Sequence, residues 1–307
     1  MKRNIGLISI ALMGFILTSG DCLAKTMVIY DGKSLAESGI TVGGWGSGTA
    51  DESKEKSLPD SSSVKVVTQG LFKGGRFDFA NPSQMMTGPP ERNEYLQFTL
   101  NFTTVEAGAA GTQIAFPYGA REDVYPTGYE DEETTTVKPK VSRIRLALQD
   151  QTGASAEILQ PVTTYKADSA GWAKVAAPLA AIKWPVAPEQ FRLKRLIFTT
   201  DLPDTIYVAD IRIATDDTPI TASAGEEQQV VAARDVVVFK AVAEGGLSTL
   251  LYSWDFDKSD GIQEDATWLV AQHSYNKRGE YDATLTVKDY HGLKSPATAT
   301  VHVSVGD

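Results

Sequence analysis

The chain is poor in the side chains that carry most nucleophilic and metal chemistry. It has a single cysteine, Cys22, and its three histidines, His273, His291 and His302, all lie beyond residue 270. Cys22 falls inside the opening stretch MKRNIGLISIALMGFILTSGDCLAK. There Lys2 and Arg3 precede an apolar run from Ile5 to Leu17, and Ala24 is a small residue at the end of a polar segment. That is the layout of a secretory signal peptide cut after Ala24, which places the mature protein in the periplasm or outside the cell. Asp21 before Cys22 argues against lipidation, because lipoprotein signals want a small side chain there. Once the leader is removed no thiol remains, which excludes disulfides, cysteine-ligated zinc and iron–sulfur clusters. The long stretch before His273 has neither histidine nor, after cleavage, cysteine. Ser–His or Cys–His catalysis and histidine-ligated zinc therefore have no parts there.

Positive charge is also scarce. The whole chain carries a net −10, and since Lys2, Arg3 and Asp21 give the leader +1, the remainder carries −11. An acidic surface repels phosphate backbones, so nucleic acid is not an expected partner. The same surface suits a hard cation such as calcium, or neutral ligands such as sugars. No apolar run after the leader reaches the ~20 residues a membrane helix needs, so no membrane span is expected once the leader is cleaved.

Helical periodicity is nearly absent, and short period-two runs take its place. They are Thr26–Tyr30, Val64–Thr68, Tyr95–Phe102, Gly111–Phe116, Ser142–Gln149, Glu157–Val162, Trp172–Ala176, Arg192–Thr199 and Thr205–Ile213. Alternation bounded by turn residues predicts an all-β sandwich. The run Arg143-Ile144-Arg145-Leu146-Ala147-Leu148 predicts one wet face and one buried face. A short helical turn is expected near Pro178–Ile182. Two stretches, Gly43–Pro59 and Pro117–Lys140, read as long loops, which in a compact domain are usually functional or disordered. The segment 216–227 lacks an apolar period and reads as a linker. The expected organisation is a signal peptide (1–24), a first β-sandwich (25–215), a linker (216–227) and a second β-sandwich (228–307).

The second sandwich carries spaced motifs: Tyr252-Ser253-Trp254-Asp255-Phe256, His273-Ser274-Tyr275, Gly279-Glu280-Tyr281 and Val287-Lys288-Asp289, with Gly292 after them. Residues 220–305 thereby resemble a PKD domain, a small immunoglobulin-like sandwich. The resemblance departs at the acidic turn, where Phe256-Asp257-Lys258-Ser259-Asp260-Gly261 is longer than the family's Phe-Gly-Asp-Gly. Period two puts Tyr252, Trp254 and Phe256 on the core face, with Trp254 as the central aromatic, and turns Ser253, Asp255 and Asp257 toward solvent. Asp255 and Asp257 can accept N–H bonds from the turn that follows. A calcium cage of Asp255, Asp257, Asp260, Glu264 and Asp265 competes with that reading, but EF-hand spacing is missing. A metal site among the three histidines also competes with ordinary sheet positions.

The first sandwich ends with Gly171-Trp172-Ala173-Lys174-Val175-Ala176-Ala177-Pro178-Leu179, then Ile206-Tyr207-Val208-Ala209-Asp210-Ile211. This succession is similar to the closing strands of galactose-binding-like jelly-rolls, the fold of many carbohydrate-binding modules. The resemblance implies a jelly-roll and a structural calcium held by the acidic strand and the N-terminal strand, through Asp210 with Asp31 or Glu37. Here Ala209 replaces the first aspartate of the family's usual pair. For sugar stacking the exposed rings expected are Trp45, Tyr118, Tyr125 and Tyr129, with Arg121 among their polar neighbours. Glycines beside Trp45 would let a ligand approach closely. Trp172 and Trp184 read as packing residues.

These readings converge on a secreted, non-catalytic binding protein whose partners are polysaccharide or glycoprotein, with the PKD-like module as spacer or protein-contact element. Two alternatives stay open: an envelope or adhesion component that binds proteins only, and a carboxylate-dependent glycan enzyme. Against the last, the acidic run Glu130–Glu133 reads as solvated charge. The Glu-x-Asp-x-x-Glu strand of jelly-roll glucan hydrolases is also missing.

Overall fold

The computed structural model describes residues 27–104, 135–137, 139–162, 165–226 and 228–306. The leader, the expected strand at 111–116 and most of the 117–140 loop lie outside the described residues. Among the described residues no helix is long and apolar enough to cross a membrane.

The N-terminal unit is all β apart from short helical turns. Its strands are β1 (Met27–Tyr30), β2 (Ile40–Trp45), β3 (Thr49–Ser53), β4 (Ser63–Thr68), β5 (Gly74–Gln84), β6 (Glu94–Phe102), β7 (Thr135–Val137), β8 (Arg143–Asp150), β9 (Ser155–Pro161), β10 (Tyr165–Ala167), β11 (Trp172–Pro178), β12 (Arg192–Thr200) and β13 (Asp204–Thr215). A front sheet runs β2–β5–β12–β8–β9, and a back sheet runs β3–β4–β13–β6–β11–β10–β7 with β1 also on β13. The two face each other across one apolar core, in which Phe98 of the back sheet meets Phe198 of the front sheet edge-on at 5.9 Å. The expected turn near 178–182 is a 3₁₀ turn at Leu179–Ala181.

Two bulges decide which side chains face out. In β13 the register shifts between Val208 and Asp210. That extra residue lets Ile206, Val208, Ile211 and Ile213 all reach the core, which strict alternation forbids. In β12 the shift between Leu193 and Arg195 likewise keeps Leu193, Leu196 and Phe198 inside. It turns Arg195 onto the outer face of the front sheet, while Lys194, the extra residue, donates from Nζ to the carbonyl of Phe79 at 2.7 Å.

The stretch expected as a loop from Gly43 to Pro59 contains strand at 43–45 and Thr49–Ser53: β2 enters the front sheet and β3 the back sheet. The turn between them crosses from sheet to sheet, and its glycines are required by the backbone packing. A Cβ on Gly48 would come within 2.3 Å of the Gly74 Cα, and one on Gly44 within 2.3 Å of the Gly48 carbonyl oxygen. The glycines beside Trp45 therefore serve close approach of the chain to itself.

The C-terminal unit continues with β14 (Thr221–Ser223), β15 (Gln228–Ala232), β16 (Val236–Lys240), β17 (Val242–Glu244), β18 (Leu250–Asp255), β19 (Ala266–Thr267), β20 (Val270–Ser274), β21 (Gly279–Asp289) and β22 (Ala297–Gly306). A five-stranded sheet, β15–β22–β21–β18–β19, packs with the pairs β16–β20 and β14–β17 around a second core. Among the described residues only β15 against β22 is parallel. The segment expected as a linker is built into this unit: β14 pairs β17, and Ile220 and Ala224 are buried in the second core. Two apolar side chains amid polar text suffice to anchor it.

A polar seam joins the units at one end of the N-terminal sandwich. Buried Gln160 donates from Nε2 to Thr249 Oγ1 at 2.7 Å, and its Oε1 lies 3.1 Å from His291 Nε2. Arg92 donates to the Gly292 carbonyl at 3.0 Å, and Asn93 Nδ2 to Asp217 Oδ1 at 2.7 Å. Lys294 Nζ reaches Asp216 Oδ2 at 2.7 Å and lies 5.8 Å from the ring centre of Tyr95.

Candidate functional site

In the front sheet, Val42, Phe77, Leu146, Leu196 and Ile158 face the core. The alternate residues face outward, and strand register sets them in rows. One row runs Gly43, Arg76, Ile197, Ala147, Glu157; the next toward the β2–β3 turn runs Trp45, Gly74, Thr199, Arg145, Leu159. A third, on the other side, holds Thr41, Asp78, Arg195 and Gln149. The centre of this face, Gly74, Ala147, Ile197 and Thr199, is closely packed and buried, with Thr199 Oγ1 donating to the Leu71 carbonyl at 2.7 Å, and its more exposed rim carries guanidinium groups and rings.

Charge on the face is organised around shared carboxylates. Asp78 takes Arg195 Nε through Oδ1 at 2.5 Å and has Arg76 Nε 3.1 Å from its Oδ2. Arg145 pairs with Glu157, and its guanidinium carbon stands 5.1 Å from the centre of the Phe72 ring. Phe72 is 67% exposed. Trp45 is half-buried at the edge strand, and no ring among the described residues stacks on it. The turn glycine Gly46 lies against the Phe72 carbonyl, which places the Trp45 and Phe72 segments side by side.

Of the side chains predicted to touch ligand, Trp45 sits on this face, whereas Tyr118, Arg121, Tyr125 and Tyr129 lie outside the described residues. Sequence reading missed Arg76, Asp78, Arg195 and Phe72. The wet face signalled by Arg143 and Arg145 was the one available clue, and the β12 bulge hid the rest.

The expected metal residues do come near one another, since β1 pairs with β13 and Val28 stands opposite Arg212. The positive charge between them belongs to the protein. Arg212 binds Asp210 through two bonds of 2.7 Å, and Asp31 pairs with Lys33 at 2.9 Å. Arg212's own pKa is raised, first by its bond to Asp210 and further by the charge of Asp31. Glu37 lines the same shallow hollow as Asp31. Among the described residues no three histidine, cysteine or carboxylate side chains converge in an arrangement that could hold a metal ion.

The acidic turn of the C-terminal unit behaves as a fastening. Trp254 is fully buried and donates from Nε1 to the Trp268 carbonyl at 3.0 Å. Asp255 was expected to face solvent but is 2% exposed. Its two oxygens accept the N–H groups of Asp257 (2.9 Å) and Gln263 (3.0 Å), which draws the carboxylate under the turn. Asp265 accepts the N–H of Phe256 at 2.8 Å, and Asp257 that of Ser259 at 3.1 Å.

Each histidine has its own setting. His273 stacks on Phe256 at 4.4 Å, and burial lowers its pKa although Asp265 and Asp257 pull upward. His302 pairs with Asp282 on the surface. His291 was expected at a sheet position; it lies instead on the turn after β21 and reaches across the seam, where burial again lowers its pKa against the pull of Asp289.

Residues 216–305 match the family model described as PKD domain. The PKD match starts at the residue where the sequence suggested a linker, in keeping with β14 lying inside the unit. No curated protein sequence matches the chain. Solved structures similar to it include the N-terminal four Ig domains of Dscam1 isoform 7.44, at 15% identity over 53% of this chain and a TM-score of 0.24. The chain covers 37% of that structure's length. The fibronectin(III)-like modules of Clostridium thermocellum CbhA follow at 12% identity, 56% of this chain, 86% of theirs and a TM-score of 0.23. A structure titled for Dscam isoform specificity shows 10% identity over 92% of this chain and 72% of its own, at a TM-score of 0.27. At such scores the likeness does not extend to function.

Proposed function

We propose that the protein is an exported, non-catalytic glycan-binding protein. In this reading its N-terminal unit, a jelly-roll of the galactose-binding-like kind, holds polysaccharide on the outer face of the front sheet. The PKD-like unit serves as a fixed mount. The observation that supports the proposal is the layout of that face: exposed Phe72 and half-buried Trp45 at one end, with the guanidinium groups of Arg145, Arg76 and Arg195 ranged beside them on the partly exposed rim. A pyranose presents an apolar C–H face to a ring and hydroxyls to charged hydrogen-bonding groups, and this surface offers both. The carboxylates on it, Asp78 and Glu157, are each occupied by arginine, which suits binding better than proton transfer. In the same reading a structural calcium would take Asp31 and Asp210, in competition with Lys33 and Arg212, which already pair with them.

A second reading, protein contact, is favoured by a separate observation. Val230, Val236 and Val242 of the PKD-like unit are 76%, 60% and 63% exposed, and exposed apolar strands invite partners.

Affinity electrophoresis through gels cast with single polysaccharides tests the glycan reading. Trp45→Ala is expected to abolish retardation with the melting temperature unchanged. Retardation that survives Trp45→Ala and Phe72→Ala together would remove the front sheet from consideration.

A further inference from the structure

The front-sheet face has a charge opposite to that of the chain that carries it. The whole sequence is net −10. On this face, outward Arg76, Arg143, Arg145 and Arg195 stand against Asp78 and Glu157, an excess of two positive charges. Other nearby acids are committed elsewhere. Asp201 takes the N–H groups of Ser142 and Arg143, and Asp150 those of Thr152 and Ala154. The imbalance is sharpest at Asp78, one carboxylate flanked by two guanidinium groups. Arg195 uses Nε on Asp78 and reaches Gln149 with Nη1 only at 3.4 Å. Arg76 Nε, although 3.1 Å from Asp78, is off the line a hydrogen bond needs and has no other acceptor. A further carboxylate is what this pair of forks lacks, and a guanidinium takes a planar carboxylate through two parallel bonds.

We infer that the ligand of this face is a polysaccharide bearing carboxylates, a chain of uronic acid residues. Its carboxylates meet the outer nitrogens of Arg76 and Arg195, and a neighbouring sugar ring lies on Trp45 or Phe72. The inference rests on the glycan reading above and adds the charge of the sugar. Guanidinium forks take other oxyanions as well as carboxylate, so a sulfated polysaccharide is the rival that the test must separate.

The test is affinity electrophoresis of the full chain in polygalacturonate, in its fully methyl-esterified form and in dextran sulfate. The ester keeps the sugar and removes the charge. Retardation is expected in polygalacturonate alone, at least about tenfold weaker for Arg76→Gln with Arg195→Gln, as loss of charge-assisted bonds requires. Asp78→Asn frees both guanidinium groups and is expected to strengthen retardation, an effect a merely structural Asp78 would not give. Equal retardation by the ester, equal or stronger retardation by dextran sulfate, or indifference to the arginine changes overturns the uronate inference and leaves glycan binding standing. Absence of retardation in these gels and in a panel of neutral polysaccharides overturns both.

Discussion

Asp255 and Asp78 are both strand residues in β-sandwiches, yet the two units use them for opposite ends. Asp255 sits beneath the acidic turn at 2% exposure, with both oxygens on main-chain N–H groups. Asp78 sits on the open face of the front sheet and answers two arginine side chains. A carboxylate that satisfies backbone donors fixes the path of the chain. A carboxylate between flexible cations leaves groups that a ligand can recruit. Asp216 at the seam is an intermediate case, ion-paired but buried. Burial alone would raise its pKa; the bonds from Lys294 and the N–H groups of Leu247 and Thr218 outweigh it and hold the carboxyl below the usual range.

The contrast can be broken by removing these acids one at a time. Asp216→Ala leaves the Lys294 ammonium, 12% exposed, against carbonyls alone. The expected loss is about 3–5 kcal/mol by urea denaturation. A loss below about 1 kcal/mol, the range of surface pairs, would show that the seam is solvated. Asp255→Ala strands two turn N–H groups and is expected to lower stability by about 1–3 kcal/mol. An unchanged midpoint would return the turn to the class of surface loops.

The buried histidines give a smaller, pH-dependent effect. His273 and His291 both have pKa values lowered by burial in the folded chain. The unfolded chain therefore binds more protons just below the ordinary histidine value of about 6.5. Stability is expected to be full above that pH and to fall as the pH drops through it. Asp31, Asp150, Asp201 and Asp216 are held below the usual carboxylate range, so they titrate at lower pH still. Denaturation midpoints at pH 7.5 and 5.5 check this, and a His273→Phe, His291→Gln double variant should flatten the difference. The smallest change in stability is expected at Asp78→Ala, within about 1 kcal/mol, because its partners are partly exposed. A loss as large as that of Asp255→Ala would erase the distinction between the two regions.

Much of the fold was legible because side-chain alternation survives in the text. The stripe Tyr252, Trp254, Phe256 marked a core-facing strand, and Trp254 and Phe256 are buried as expected, with Tyr252 packed against them. The strand pattern of 142–162 and 192–213 was visible for the same reason. The strands around Gly43–Pro59 were not, because glycine leaves no period to read and the segment is held by backbone contact with Gly74. Asp255 was placed on the wrong side because period two fails where a strand ends in a turn whose N–H groups draw the side chain inward. At the candidate site, Trp45 and the wet face of Arg143 and Arg145 could be read. Arg195 could not, since one inserted residue in β12 changes the side on which it emerges.

The sequence by itself determined an all-β chain of two sandwiches, a PKD-like second unit with Trp254 at its centre, and an acidic character poor in catalytic side chains. These follow from local properties, residue type and period, which each stretch carries without its neighbours. Only the tertiary structure decided that the supposed linker belongs to the second unit, that His291 bridges the two, and that Arg76, Asp78 and Arg195 stand together on a face of reversed charge. Those facts depend on bulges and on pairings between strands more than a hundred residues apart, and distance in space is not written into any short stretch of text.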